Sequence, residues 1–214
     1  MEQRKIFVLA TIFLAVGAFM GATYQDSLQL PAPLVLKTTG FPTTGSPAAT
    51  VEIAVFEDFR CHNCRAFNEK LVPQLEAQYI ATGKARYTMV PLAFMKGSKP
   101  MANAALAVYH STPDRFFPYA KELFLFPEGK KVTDTALLEI AQKVGGINLA
   151  NLQKALETRK YYAELRENLE WAQGVLGKDF RTPALYINGI PTPTASYDLI
   201  EMRIEHMLTI GKGP

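Results

Sequence analysis

Apolar positions change period along the chain, and the changes mark its elements. Ile6 to Ala22, IFVLATIFLAVGAFMGA, is apolar throughout and carries no charge. Residues 23–50 are rich in Pro, Gly, Thr and Ser and read as a linker with one short strand at Leu34–Leu36. VEIAVF, Val51 to Phe56, is apolar and β-branched, which predicts a buried strand. Beyond Cys61 the apolar residues Phe67, Leu71, Leu75 and Tyr79 recur every four positions, with Val72 beside them. That spacing predicts a helix, and Pro73 inside it predicts a kink. Gly83-Lys84 closes the helix, and Ala85 to Val90 predicts a second strand.

From about Lys99 to Gly177 no segment has strand character. MANAALAVYH, DRFFPYAKELFLF and TDTALLEIAQKV each show helical spacing. A longer helix is expected after them, with Leu152, Ala155, Leu156, Tyr162, Leu165, Leu169, Ala172 and Leu176 on one face. The aromatic group Phe116, Phe117, Tyr119, Phe124 and Phe126 is expected to form the core of this block, and Trp171 to serve helix packing. Strand character returns at Ala184 to Ile187, followed by Asn188-Gly189, a strong hairpin signal. Pro191 and Pro193 make the second arm short and place it at an edge. Ser196 caps a last helix whose inward face is Leu199, Ile200, Ile204, Met207 and Leu208. The order is β-α-β, a helical block, then β-β-α: an α/β chain with a small mixed sheet and an inserted all-helical domain. Its expected divisions are 1–22, 23–50, 51–97, 98–177 and 178–214.

Composition narrows the function. The chain has 214 residues, 48% of them hydrophobic and 20% charged, enough apolar material for a sizeable core. A net charge of +3 without a Lys/Arg-dense stripe gives no case for a nucleic-acid partner. Arg4 and Lys5 directly before the apolar run give residues 1–22 the layout of an export segment. The run is long for a cleaved signal and slightly short for a spanning helix, so a signal peptide and a membrane anchor both remain open. Either one places the rest of the chain in an extracytoplasmic, oxidising compartment, where two cysteines can pair.

Those two are Cys61 and Cys64, in FEDFRCHNCRAF. Disulfide exchange needs one exposed thiolate and a second thiol within its reach. At the N-terminus of the predicted helix, unpaired N–H groups and the helix dipole favour an anion at Cys61. Arg60, Arg65 and protonated His62 are expected to add to this, and Glu57 and Asp58 to oppose it. Cys61 is therefore the candidate nucleophile and Cys64 the more buried resolving thiol. A metal site is the weaker reading, because only His62, His110 and His206 could join the two cysteines. His110 and His206 read as structural. A structural disulfide is weaker too, because so short a loop constrains little unfolded chain. No cofactor is called for. A second signal lies in FRTPALYING, where the Thr182-Pro183 bond ahead of a strand is a candidate for the cis form.

GSPAATVEIAVFEDFRCHNC, FNEKLVPQLEAQYIATGK and the late RTPALYING together resemble the DsbA-like thioredoxin-fold oxidoreductases of bacterial disulfide-bond formation. The resemblance runs from Gly45 to about Leu208. It implies a thioredoxin fold with an inserted helical domain, and Pro183 as a cis-proline facing the cysteine pair. It also implies that Arg181 and Thr182 offer backbone groups to an extended substrate. Two departures stand out. His62 and Asn63, which help set thiolate stability, replace the Pro-His pair common in such enzymes. Val55 stands where relatives often carry a buried acid. Asp58 matches an acid of the subgroup but is not assigned that role.

The expected function is thiol–disulfide interchange on exported proteins, most directly dithiol oxidation, with a membrane redox partner restoring the disulfide. Reductase or isomerase work on the same fold and a non-enzymatic envelope chaperone or binding module are the alternatives.

Overall fold

The computed structural model describes residues 31–210. The expected signal peptide or membrane anchor at 1–22, and the start of the expected linker, lie outside the described residues. Strands β1 (Thr43–Gly45), β2 (Val51–Asp58), β3 (Ala85–Leu92), β4 (Ala184–Ile187) and β5 (Ile190–Thr192) form one sheet in the order β1-β3-β2-β4-β5. β2 and β3 run parallel, from Val51 opposite Ala85 to Asp58 opposite Leu92, and the other pairs are antiparallel. Parallel pairing requires a crossover, and the helical segment after Cys61 supplies it. That segment is α1 (His62–Lys70), α2 (Val72–Leu75) and a π-helical turn at Glu76–Ile80. The break at Leu71 sits two residues before Pro73, where the expected kink lies: Pro73 opens α2 because its missing N–H is needed only deeper in a helix.

The insert contains α3 (Ser98–Ser111), α4 (Phe116–Phe124), α5 (Asp134–Val144), α6 (Leu149–Thr158) and α7 (Tyr162–Leu176), and α8 (Tyr197–Ile210) closes the chain. The single long helix expected over 152–176 is two helices. Arg159 adopts the left-handed conformation (φ 52°) and ends α6. Buried Asn103 of α3 offsets the break: its side-chain amide donates to the Ala155 carbonyl at 2.9 Å and accepts from the Tyr161 N–H at 2.9 Å. Periodicity continued across the break, so the apolar spacing alone concealed it.

One sheet face carries Ile53, Val55, Tyr87, Met89 and Ile187 into the main core, which α1, α8 and the insert also fill. Phe116, Tyr119, Phe124 and Phe126 are buried there, and Phe117 is partly buried against Tyr87. The other face holds Ala54, Phe56, Val90 and Tyr186 under Ala172 of α7. Trp171 stacks between Phe41 and Phe56, at 5.3 and 5.2 Å between ring centroids, so its role is packing. His110 stacks on Tyr161 and meets Glu164 at 3.0 Å, while His206 is exposed. Leu199 departs from expectation: it is 39% exposed, and Ile200, Ile204 and Met207 form the buried face of α8. Among the described residues no helix is long and apolar enough to cross a membrane.

The strand of the linker is Thr43–Gly45, not Leu34–Leu36. Pro31 and Pro33 lack backbone donors, and around Leu34 one bond, from its N–H to the Gly189 carbonyl at 2.8 Å, replaces a ladder. Asn188 and Gly189 both have positive φ, as a two-residue hairpin turn requires. A Cβ at Gly189 would lie 2.2 Å from the Leu34 carbonyl oxygen. Gly189→Ala is therefore expected to destabilise by more than about 1 kcal/mol in urea denaturation, combining strain and a clash. An unchanged midpoint would show that the Leu34 contact gives way freely.

Candidate active site

β2 delivers the chain to Cys61, which is the N-cap of α1 (φ −78°, ψ 118°). β4 pairs antiparallel with β2, Ala184 opposite Phe56, so the residues just before β4 arrive beside the C-terminal end of β2. The Thr182-Pro183 bond there is cis. In the thiol form, Cys61 Sγ donates to the Thr182 carbonyl at 3.3 Å. Residues 121 positions apart thus meet at one sulfur. Arg181, Thr182 and Pro183 line a groove of about 500 Å³ with Asn63, Phe67 and Pro193.

The two cysteines, both in the free thiol form, are unlike in environment. Cys61 is 8% exposed and Cys64 is completely buried. The Cys61 thiol is held down to about 5, first by donation from the Cys64 S–H. The Thr182 hydroxyl and the backbone N–H groups of Cys64 and Asn63 add to this, against burial, which pushes upward. Cys64 is driven far above the ordinary thiol range, first by burial, then by its donation to Cys61 and by the Glu57 carboxylate. Hydrogen bonds to the anion lower Cys61, whereas burial is the main cause that raises Cys64.

The charged neighbours behave differently from expectation. Arg60, Arg65 and His62 direct their polar groups to the segment after α4 rather than to the sulfur. Arg60 donates to the Pro127 carbonyl at 3.3 Å and Arg65 to that of Phe126 at 3.4 Å. His62 Nδ1 meets Glu128 at 2.8 Å, and this contact holds the Glu128 carboxyl below its usual range. Asp58 is fully buried and accepts three backbone N–H bonds, from Arg60 at 2.8 Å, Phe94 at 2.9 Å and Met95 at 3.0 Å. It clamps the β3–α3 loop to the turn before Cys61.

Glu57 is the residue that sequence reasoning undervalued. It is completely buried, accepts from the Tyr87 hydroxyl at 2.9 Å and from the Asn68 side-chain amide, and that amide also donates to the Cys64 carbonyl at 3.0 Å. Burial, more than any other influence, pushes its carboxyl up to about 8. Strand parity places Glu57 on the same face as Ile53 and Val55, which point into the core beside the cysteines. That parity was readable in VEIAVFED, whereas Tyr87 and Asn68 as partners were not.

A thioredoxin family model matches residues 37–205. The chain belongs to the thioredoxin family. It is 27% identical over 174 residues to disulfide bond formation protein D of Bacillus subtilis, covering 79% of this chain and 78% of that protein. It is also 27% identical over 198 residues to the probable disulfide bond formation protein D of Bacillus anthracis, covering 88% and 90%. The crystal structure of Chlamydia trachomatis DsbA superposes with a TM-score of 0.76 at 26% identity, over 85% of this chain and 97% of that one. Oxidised BdbD from Bacillus subtilis gives 0.75 at 26% identity, over 84% and 97%. The insert and the sheet that carries the cysteine pair at the end of its central strand therefore belong to one shared thioredoxin-type architecture.

Proposed function

We propose that this thioredoxin-family protein is a DsbA-like thiol:disulfide oxidoreductase that oxidises dithiols of exported proteins through Cys61 and Cys64. The observation that carries this reading is the asymmetry of the pair: Cys61 slightly exposed at a helix N-terminus with a thiolate favoured at neutral pH, Cys64 completely buried and protonated. A substrate thiolate attacks Sγ of Cys61 in the oxidised pair. The Cys61–Cys64 bond breaks, a substrate–Cys61 bond forms, and Cys64 leaves with the electron pair. So weakly acidic a leaving group needs a proton, and the protonated Glu57 carboxyl supplies it. A second substrate thiolate then attacks the substrate sulfur and expels Cys61 as thiolate. The substrate gains a disulfide, and the enzyme keeps two electrons as a reduced pair.

The asymmetry favours this direction. Low-pKa thiolates leave fast, which speeds the second step. A protonated Cys64 is slow to attack Cys61 and return the substrate unoxidised. Arg181, Thr182 and Pro183 form the wall on which an extended substrate lies, and a membrane partner accepts the electrons. Residues 1–22 export or anchor the protein, so that this chemistry proceeds outside the plasma membrane.

Equilibration with glutathione tests the direction. The expected potential lies far above the about −270 mV of thioredoxin, toward the about −120 mV of strong oxidants. Its pH slope should also change. Reduction takes up two protons below about pH 5 and one above it, so the slope falls from about 59 to about 30 mV per pH unit. A potential near −270 mV would turn the assignment to reductase work.

A further inference from the structure

A second cleft opens at Cys61, sharing no lining residue with the groove at Pro183. It measures about 300 Å³. Its apolar wall includes Phe59 and Phe124, packed 4.8 Å apart, and the partly exposed Met95. Its charged lining is uneven: Arg60, Arg65 and Lys96 stand against the single carboxylate Glu128. Arg65 is paired with Glu69 at 3.2 Å, and Glu128 is engaged by His62. Arg60 and Lys96 have no ion-pair partner among the described residues.

The backbone that carries these two residues is also held in place. The buried Asp58 carboxylate binds the backbone of Arg60 on one side and of Phe94 and Met95, next to Lys96, on the other. One clamp therefore fixes the backbone from which both side chains reach the cleft that Cys61 lines. Cys61 lines this cleft and touches Thr182 of the Pro183 groove, so chain flanking a substrate cysteine that lies along that groove can reach the cleft. An acidic side chain entering it gains two unpaired charges, and a basic one meets repulsion.

We propose that this cleft is a specificity subsite for acidic residues, so that the enzyme prefers cysteines flanked by Asp or Glu. The proposal rests on the oxidase reading above and names the substrate class of that site.

The test uses three reduced dithiol peptides, identical except for Glu, Gln or Lys beside the first cysteine. Each is oxidised by the wild-type protein and by an Arg60→Glu/Lys96→Glu double variant. With the wild type, kcat/KM should favour Glu over Lys by about tenfold at low ionic strength, with Gln between, and the preference should shrink in 0.5 M salt. In the double variant the preference should vanish or invert. Differences in intrinsic thiol reactivity cancel when the Glu/Lys ratio is compared between the two proteins. A ratio unchanged by the double substitution would overturn the subsite while leaving the oxidase reading intact. Failure of the wild type to oxidise even the Gln peptide would instead overturn the oxidase reading.

Discussion

Cys61→Ser is expected to reduce dithiol oxidation to the uncatalysed level, a loss of roughly 10³-fold or more. A serine hydroxyl cannot form the mixed disulfide, and nothing else at the site offers a sulfur to an incoming thiolate: Cys64 is completely buried. Cys64→Ser should fail in a different way. The reduced Cys61 thiolate still attacks an added disulfide, forming Cys61–S–S–R and releasing RS⁻. Without Cys64 the adduct has no internal thiol to resolve it, so it accumulates. Mass spectrometry after exposure to a peptide disulfide checks both outcomes: adduct on Cys64→Ser, none on Cys61→Ser. Full activity in Cys61→Ser would end the assignment of Cys61 as nucleophile. The Ser variants also separate enzyme from binding module, since a module would work with either.

Glu57→Gln is expected to produce a protein that is more stable at alkaline pH yet slower. The folded carboxyl titrates near 8, above its ordinary 4.5. A carboxyl raised in this way contributes stability that is complete below about pH 4.5 and lost as pH rises through 8. At about 1.4 kcal/mol per unit, the loss amounts to roughly 3–5 kcal/mol by pH 9. Gln fills the same space without titrating, and the Tyr87 hydroxyl can reverse to accept from its amide. The reduced forms of the two proteins should therefore match near pH 4.5 and diverge by a few kcal/mol by pH 9, with the variant the more stable. Cys61 contributes with the opposite sign, since its depressed folded value adds stability that disappears as pH falls through about 5. Cys61 is present in both proteins, so only its repulsion with the Glu57 carboxylate, already part of the Glu57 shift, enters the difference. The variant cannot give a proton to the departing Cys64, so its reduction by substrate should slow by about 10²-fold near neutral pH. Urea denaturation across pH and stopped-flow reduction measure the two effects. Parallel stability curves would remove Glu57 from the titrating set.

Strand and helix content was legible because burial and periodicity are coupled. VEIAVF, ALYI and the four-residue spacing from Phe67 to Tyr79 each name an element whose apolar face had to be covered. Breaks within a continued period were not legible. Leu152 to Leu176 keeps its spacing through Arg159, and only the distant Asn103, bonding to Ala155 and Tyr161, stabilises the interruption. The short strand Thr43–Gly45 was missed because three residues carry almost no pattern. Its position follows from pairing with β3, where Gly45 allows a close approach that a Cβ would block, 2.6 Å from the Ala85 carbonyl.

The sequence by itself determined the pair Cys61–Cys64, its place at the start of a helix, the Thr182-Pro183 step, and the division into a β-α-β part, a helical insert and a β-β-α part. These are local facts, written in spacing and residue type. Only the tertiary structure decided which charges act on the sulfur. Arg60, Arg65 and His62, its neighbours in sequence, turn toward the loop at 126–128, while Thr182, far away in the chain, reaches the thiol. It also separated the two adjacent acids, giving Asp58 three backbone donors and leaving Glu57 protonated beside the redox pair. Electrostatic influence depends on distance and desolvation, and both are set by how strands and helices pack rather than by proximity along the chain.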